Sequence, residues 1–142
     1  LSLIIALTES PAEILDCFPV MVQLRPNLQS AEFVGQIQQQ FDRGYQLVSL
    51  RRDNLVLAVA GFHISTNLAW GKHLYIEDLV VDGGHQSQQY GQRLFQWLID
   101  FARQHHCAQA HLDSGVQRFS AHRFYLHQRL EIRSHHFAMT FN

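Results

Sequence analysis

The chain has 142 residues, 46% of them hydrophobic, which is the size and composition of one domain, residues 1–142, with a sizeable core. A formal net charge of -1 with a single lysine, Lys72, offers no broad basic surface and argues against nucleic acid held through many phosphate contacts. Two cysteines, Cys17 and Cys107, are too few for a disulfide framework, and their spacing matches no zinc or redox motif, so reduced thiols in a cytoplasmic protein are expected.

Residues 3–7 are far too few to span a bilayer and no basic segment precedes them, so they read as a strand and no membrane partner is expected. Ser10, Pro11 and Glu13 then spell a helix start: serine as N-cap, proline at the first helical position, and glutamate three after the cap. Pro19 cannot lie inside a straight helix, which predicts a break and a second short segment through Met21 and Leu24 before Pro26. From Ser30 a further helix carries Phe33, Ile37 and Phe41 on one face, and Gly44 ends it. Residues 45–51 and 55–65 read as antiparallel strands joined at Asp53 and Asn54. After the loop 66–71, residues 73–82 form a third strand that carries Glu77 and Asp78.

That strand ends Leu79, Val80, Val81 and passes through a polar turn into a helix whose apolar stripe is Tyr90, Leu94, Trp97, Leu98 and Phe101. A strand that feeds a helix N-terminus makes an anion site, because the first-turn amides are unpaired and the helix dipole favours negative charge. A phosphate-bearing ligand is expected there. Residues 108–114 read as a strand, 120–128 as a helix and 135–141 as a final strand.

The turn Gln86, Ser87, Gln88, Gln89, Tyr90, Gly91 resembles the pyrophosphate-binding motif of the GNAT superfamily of N-acyltransferases, with Gln86 and Gly91 at its first and last positions. Ala121, His122, Arg123, Phe124, Tyr125 resemble a second signature of that superfamily, and the order of elements is similar over nearly the whole chain. The resemblance implies an α+β fold: a mixed, mostly antiparallel sheet of about six to seven strands flanked by helices. It implies acetyl-CoA as acyl donor and a primary amine, on a small molecule or a peptide, as acceptor. Leu79, Val80 and Val81 would pair with the pantetheine arm through their backbone, and Gln86, Ser87, Gln88, Gln89, Tyr90, Gly91 and Gln92 would hold the pyrophosphate. Tyr125 falls on the tyrosine that protonates the departing CoA thiolate.

An amine must lose its proton before it can attack a thioester, and a carboxylate is the usual acceptor. Glu77, Asp78 and Asp113 are the candidates. Asp78 adjoins Glu77, and on a regular strand the two point to opposite faces, so that only one faces the cleft directly. For each acid a solvated strand end or a salt bridge is an equal alternative.

Three positions depart from the superfamily pattern: Gln89 replaces the central glycine, Arg118 a frequent cofactor-facing asparagine, and Arg129 with Leu130 a Gly-Phe pair. A helical Gln89 needs no positive φ and should cost little stability. A left-handed Arg129 would cost roughly 1 kcal/mol, or else the helix end is shaped differently. Together these departures keep open a second reading, a catalytically weak or inactive GNAT-like module that binds CoA or acyl-CoA as a regulator. The ten histidines show no same-face pairing of a zinc site, so no metal is expected. The acceptor and a homodimeric state are left open.

Overall fold

The computed structural model describes residues 2–142, the side chain of Ser87 excepted. It holds two compact units, one running to His111 and one over residues 112–142. The element order is β1 (Leu3–Leu7), α1 (Pro11–Asp16), α2 (Phe18–Leu24), α3 (Ser30–Phe41), β2 (Tyr45–Arg52), β3 (Leu55–Asn67), β4 (Gly71–Val81), a 3-10 helix (Gly83–Gln88), α4 (Tyr90–Gln104), β5 (Gln109–Leu112) and α5 (Phe119–His127). The strands lie in the order β1-β2-β3-β4-β5, and the first four pair antiparallel. This is the expected α+β architecture, a mixed sheet flanked by helices, with five strands among the described residues.

Local chemistry explains the element boundaries. Ser10 and Glu13 form a complete capping box, and Pro11 opens α1. Pro19 sits in the first turn of α2, where its missing N–H costs nothing, so the chain restarts at Phe18 instead of kinking. Gly44 supplies a φ of +95° after α3. On one face of the sheet, Ile14, Cys17, Met21, Phe33 and Ile37 pack with Tyr45, Leu47 and Val59, and the Phe18 and Phe33 rings meet edge to face at 5.3 Å. On the other face α4 buries Leu94, Phe95 and Leu98, and Phe62 meets the rings of Trp97 and Phe101 at 6.2 and 5.3 Å.

Two strand expectations fail toward the C-terminus. The strand expected over 108–114 contracts to Gln109–Leu112, and residues 135–141 form no strand. Phe137, Met139 and Phe141 alternate as a strand should, yet they are 92, 78 and 85% exposed. Alternation specifies the face that a strand would bury; it does not supply the ladder partner that the backbone needs.

A bulge in β4 shapes the site. Gly61 lies opposite Asp78 and Phe62 opposite Ile76, so Glu77 is an extra residue with no partner on β3. Tyr45 crosses Gly61, and its hydroxyl donates to Asp78 Oδ2 at 2.8 Å. A Cβ at position 61 would run into the Tyr45 ring and hydroxyl, so glycine is required by close approach. We expect Gly61→Ala to destabilise the fold by about 3 kcal/mol, read from the denaturant midpoint, because backbone and a buried ring must both move.

Where β4 gives way to the 3-10 helix, Asp82 gathers three donors: Gln23 Nε2 at 2.8 Å, His85 Nδ1 at 2.8 Å and the Gly84 N–H at 3.2 Å. Gln23 also accepts from the Gly83 N–H at 2.9 Å, which ties α2 to this junction. The Gln23 and His85 hydrogen bonds hold the Asp82 carboxyl below the usual carboxylate range. A carboxyl of lowered pKa stabilises the fold fully above its unfolded value, about 4, and this contribution disappears as pH falls through the folded value. Asp82→Asn should therefore lower the denaturation midpoint at pH 7 and make its decline below about pH 4 shallower than in the natural chain.

Candidate active site

Glu77 and Asp78 both line an open cavity of about 390 Å³ between α2, α3 and β4. The expectation that only one of them faces the cleft is therefore corrected: the bulge breaks the alternation, so successive residues reach the same side. Their surroundings separate their roles. Asp78 is committed, with Oδ1 accepting from Arg25 Nε at 2.9 Å and Oδ2 from Tyr45. Burial and the Asp78 carboxylate push the Tyr45 hydroxyl well above its ordinary value, so it remains a donor. Arg25 Nη2 also donates to the Glu77 carbonyl at 2.9 Å. The Glu77 carboxylate stands apart from this triad, about a third exposed, with Oε1 2.9 Å from His63 Nδ1. Tyr75 stacks on the His63 ring at 5.7 Å. Sequence reasoning missed Arg25, Tyr45 and His63. His63 and Tyr75 are direct cross-strand partners, a signal that appears once the hairpin register is known.

Leu79, Val80 and Val81 pair with Ala60, Val59 and Ala58 along one edge of β4. At the other edge, β5 follows an Ala108 N–H bond to the Lys72 carbonyl and lasts four residues against eleven in β4. So short a strand cannot flank residues 79–81, which lie at the far end of β4 from Lys72.

In the second unit, Tyr125 lies on α5, half-buried, with its phenol pushed up by burial and drawn back in part by the Arg118 guanidinium. Arg118 therefore faces the tyrosine. Asp113 lies just beyond β5, about half exposed, with Oδ2 3.9 Å from His136 Nδ1. Arg129 is left-handed at φ +70°, and the Leu130 N–H reaches the Tyr125 carbonyl at 3.1 Å while the Arg129 N–H reaches Leu126 at 3.0 Å. Of the two shapes open for this helix end, arginine thus takes the one that glycine usually fills.

The expected phosphate cradle comprises the 3-10 helix and the start of α4. Tyr90 turns inward: its hydroxyl donates to Gln88 Oε1 at 2.7 Å and accepts from Arg52 Nη1 at 3.0 Å, which leaves only its backbone for a ligand. The hydroxyl expected from Ser87 lies outside the described residues. Among the described residues the N-cap of α4, Gln89, makes no side-chain capping hydrogen bond, and the first-turn N–H groups of a helix have no intrahelical partner. Gln89 is not helical, contrary to expectation; it joins the two helices in the left-handed region at φ +63°, ψ +19°. A side chain is strained there, where glycine would not be. Gln89→Gly should raise stability by about 0.5–1 kcal/mol, seen as a higher denaturant midpoint, the gain reduced by the extra freedom of glycine when unfolded.

Comparison with known proteins places this geometry. The family model described as "Acetyltransferase (GNAT) family" matches residues 12–129. An uncharacterized N-acetyltransferase of Bacillus subtilis (strain 168), YhdJ, is 31% identical over 117 residues, covering 82% of each chain. Among solved structures, a transcriptional regulator from Bacillus halodurans C-125 superposes with a TM-score of 0.87 at 16% identity, covering 99% of this chain and 100% of that one. Glucosamine-6-phosphate N-acetyltransferase from Arabidopsis thaliana superposes at 0.79 and 18% identity, with all of both chains covered. At such identities the structural matches speak for the fold, whereas the family model spans most of the sequence; the chain belongs to the GNAT acetyltransferase family.

Proposed function

We propose that this protein is an acetyl-CoA-dependent N-acetyltransferase acting on a primary amine by direct attack on the thioester. The observation that carries the reading is Glu77, a carboxylate set by a strand bulge into an open cavity while its neighbour Asp78 is held by Arg25 and Tyr45. Glu77 takes the proton of the incoming amine, and the amine nitrogen forms a bond to the thioester carbonyl carbon. Backbone N–H groups of β4 near Leu79 polarise that carbonyl. The carbon–sulfur bond then breaks, and Tyr125 gives its proton to the thiolate. Burial supports this last role, since a phenol with raised pKa retains its proton at neutral pH. Asp113 is the other candidate for base, and its exposure favours Glu77.

Glu77→Gln should lower kcat about 100-fold and Tyr125→Phe about 10-fold, with the affinity for acetyl-CoA largely unchanged in both, measured by thiol release and by calorimetry. Unchanged turnover in either variant removes that residue from the mechanism. A second reading, a CoA-binding module that turns nothing over, is favoured by the side chain of Gln89 at the cradle. Acetyl-CoA binding that appears only in Gln89→Gly would decide for it.

A further inference from the structure

We infer that the cavity between α2, α3 and β4 selects an amine that also carries an anionic group, a carboxylate or a phosphate, and that Arg43 reads the anion. This rests on the acetyltransferase reading in that it takes the cavity for the acceptor site.

The charges around the cavity are unequally engaged. Both oxygens of Asp78 are taken by Arg25 and Tyr45, and Arg25 is further tied to the Glu77 carbonyl, so the two charges of this pair offset each other and Arg25 Nε and Nη2 are already engaged. Two charged groups remain on the cavity wall. One is the Glu77 carboxylate on β4, which touches a single histidine nitrogen. The other is Arg43, just past the end of α3, whose guanidinium makes no hydrogen bond or ion pair among the described residues. Gln36 and Gln40 line the same wall, four residues apart and so on one face of α3, and their amides add donors beside the guanidinium.

A cavity walled by a carboxylate on a strand and a guanidinium just past the end of a helix is complementary to a ligand with an amine at one end and an anion at the other. A simple alkylamine would satisfy Glu77 and leave Arg43 unmatched. A guanidinium recognises carboxylate and phosphate oxygens through paired N–H donors, which makes it a better reader of the anion than the glutamines alone. The volume, about 390 Å³, suits a small metabolite.

The test uses matched amine pairs that differ in the anion: glucosamine 6-phosphate against glucosamine, O-phosphoethanolamine against ethanolamine, and 4-aminobutyrate against butylamine. Binding to the full chain is measured by calorimetry with CoA present, and acetyl transfer is measured separately. The anionic member of at least one pair should bind about tenfold more tightly, the preference shrinking in high salt because Arg43 is exposed. Arg43→Gln should abolish that preference and Arg43→Lys should retain part of it, while thermal unfolding of both matches the natural chain. Equal affinity within every pair, no binding by any member, or a preference that survives Arg43→Gln overturns the inference. Acetylation of an uncharged amine under those outcomes leaves the proposed function standing. Anion-selective binding with no acetylation of any amine supports the selectivity and overturns the proposed function instead.

Discussion

A bulge removes one residue from the hydrogen-bond ladder, and the backbone groups it strands must be satisfied elsewhere. Here the stranded residue is Glu77, and its carbonyl is taken by Arg25, the residue that caps the end of α2. The same guanidinium binds Asp78, which in turn accepts from Tyr45, and Tyr45 reaches it only because residue 61 has no side chain. Four residues, from the end of α2 and from β2, β3 and β4, thereby fix the backbone around a fifth. The carboxylate of that fifth residue makes one hydrogen bond, with His63, and is about a third exposed. The arrangement engages both oxygens of one acid and leaves the carboxylate of the next about a third exposed.

How much of this was legible in the sequence follows from the range of the interactions. Local signals worked: the Ser10 to Glu13 box, the restart at Pro19, the turn at Asp53 and the stripe of α4 are all set by neighbours a few residues away. Glu77 was legible as a candidate because deprotonating an amine calls for a carboxylate and the strand before the turn carries one. Its orientation was not, since strict alternation is the only rule a sequence offers and a bulge cancels it. Arg25, Tyr45 and His63 carry no motif; they become site residues through pairings that only the folded sheet creates. The failed strand over 135–141 has a related cause, for periodicity is local and a ladder partner is not.

Two departures from the superfamily pattern now have a common physical form. Gln89 and Arg129 both stand where the family has glycine, and both adopt the left-handed backbone that glycine favours. The backbone path has been kept and the strain accepted, at roughly 1–2 kcal/mol for each position. Substitution at these sites therefore changes the surface and the stability more than the course of the chain. For the turn before α4, the amides that a pyrophosphate would meet keep their path, and the added glutamine side chain is the novelty.

The triad around Glu77 joins residues separated by 53 and 33 positions along the chain, and the bond to the Glu77 carbonyl spans 52. Contacts of such separation form late and together, because closing each loop costs entropy that only the assembled sheet returns. The arrangement around Glu77 therefore needs β2, β3, β4 and the end of α2 in place together. The setting of the Glu77 carboxylate is thus a property of the assembled sheet as a whole, and any change that loosens β2 or the end of α2 reaches it without touching the residue itself.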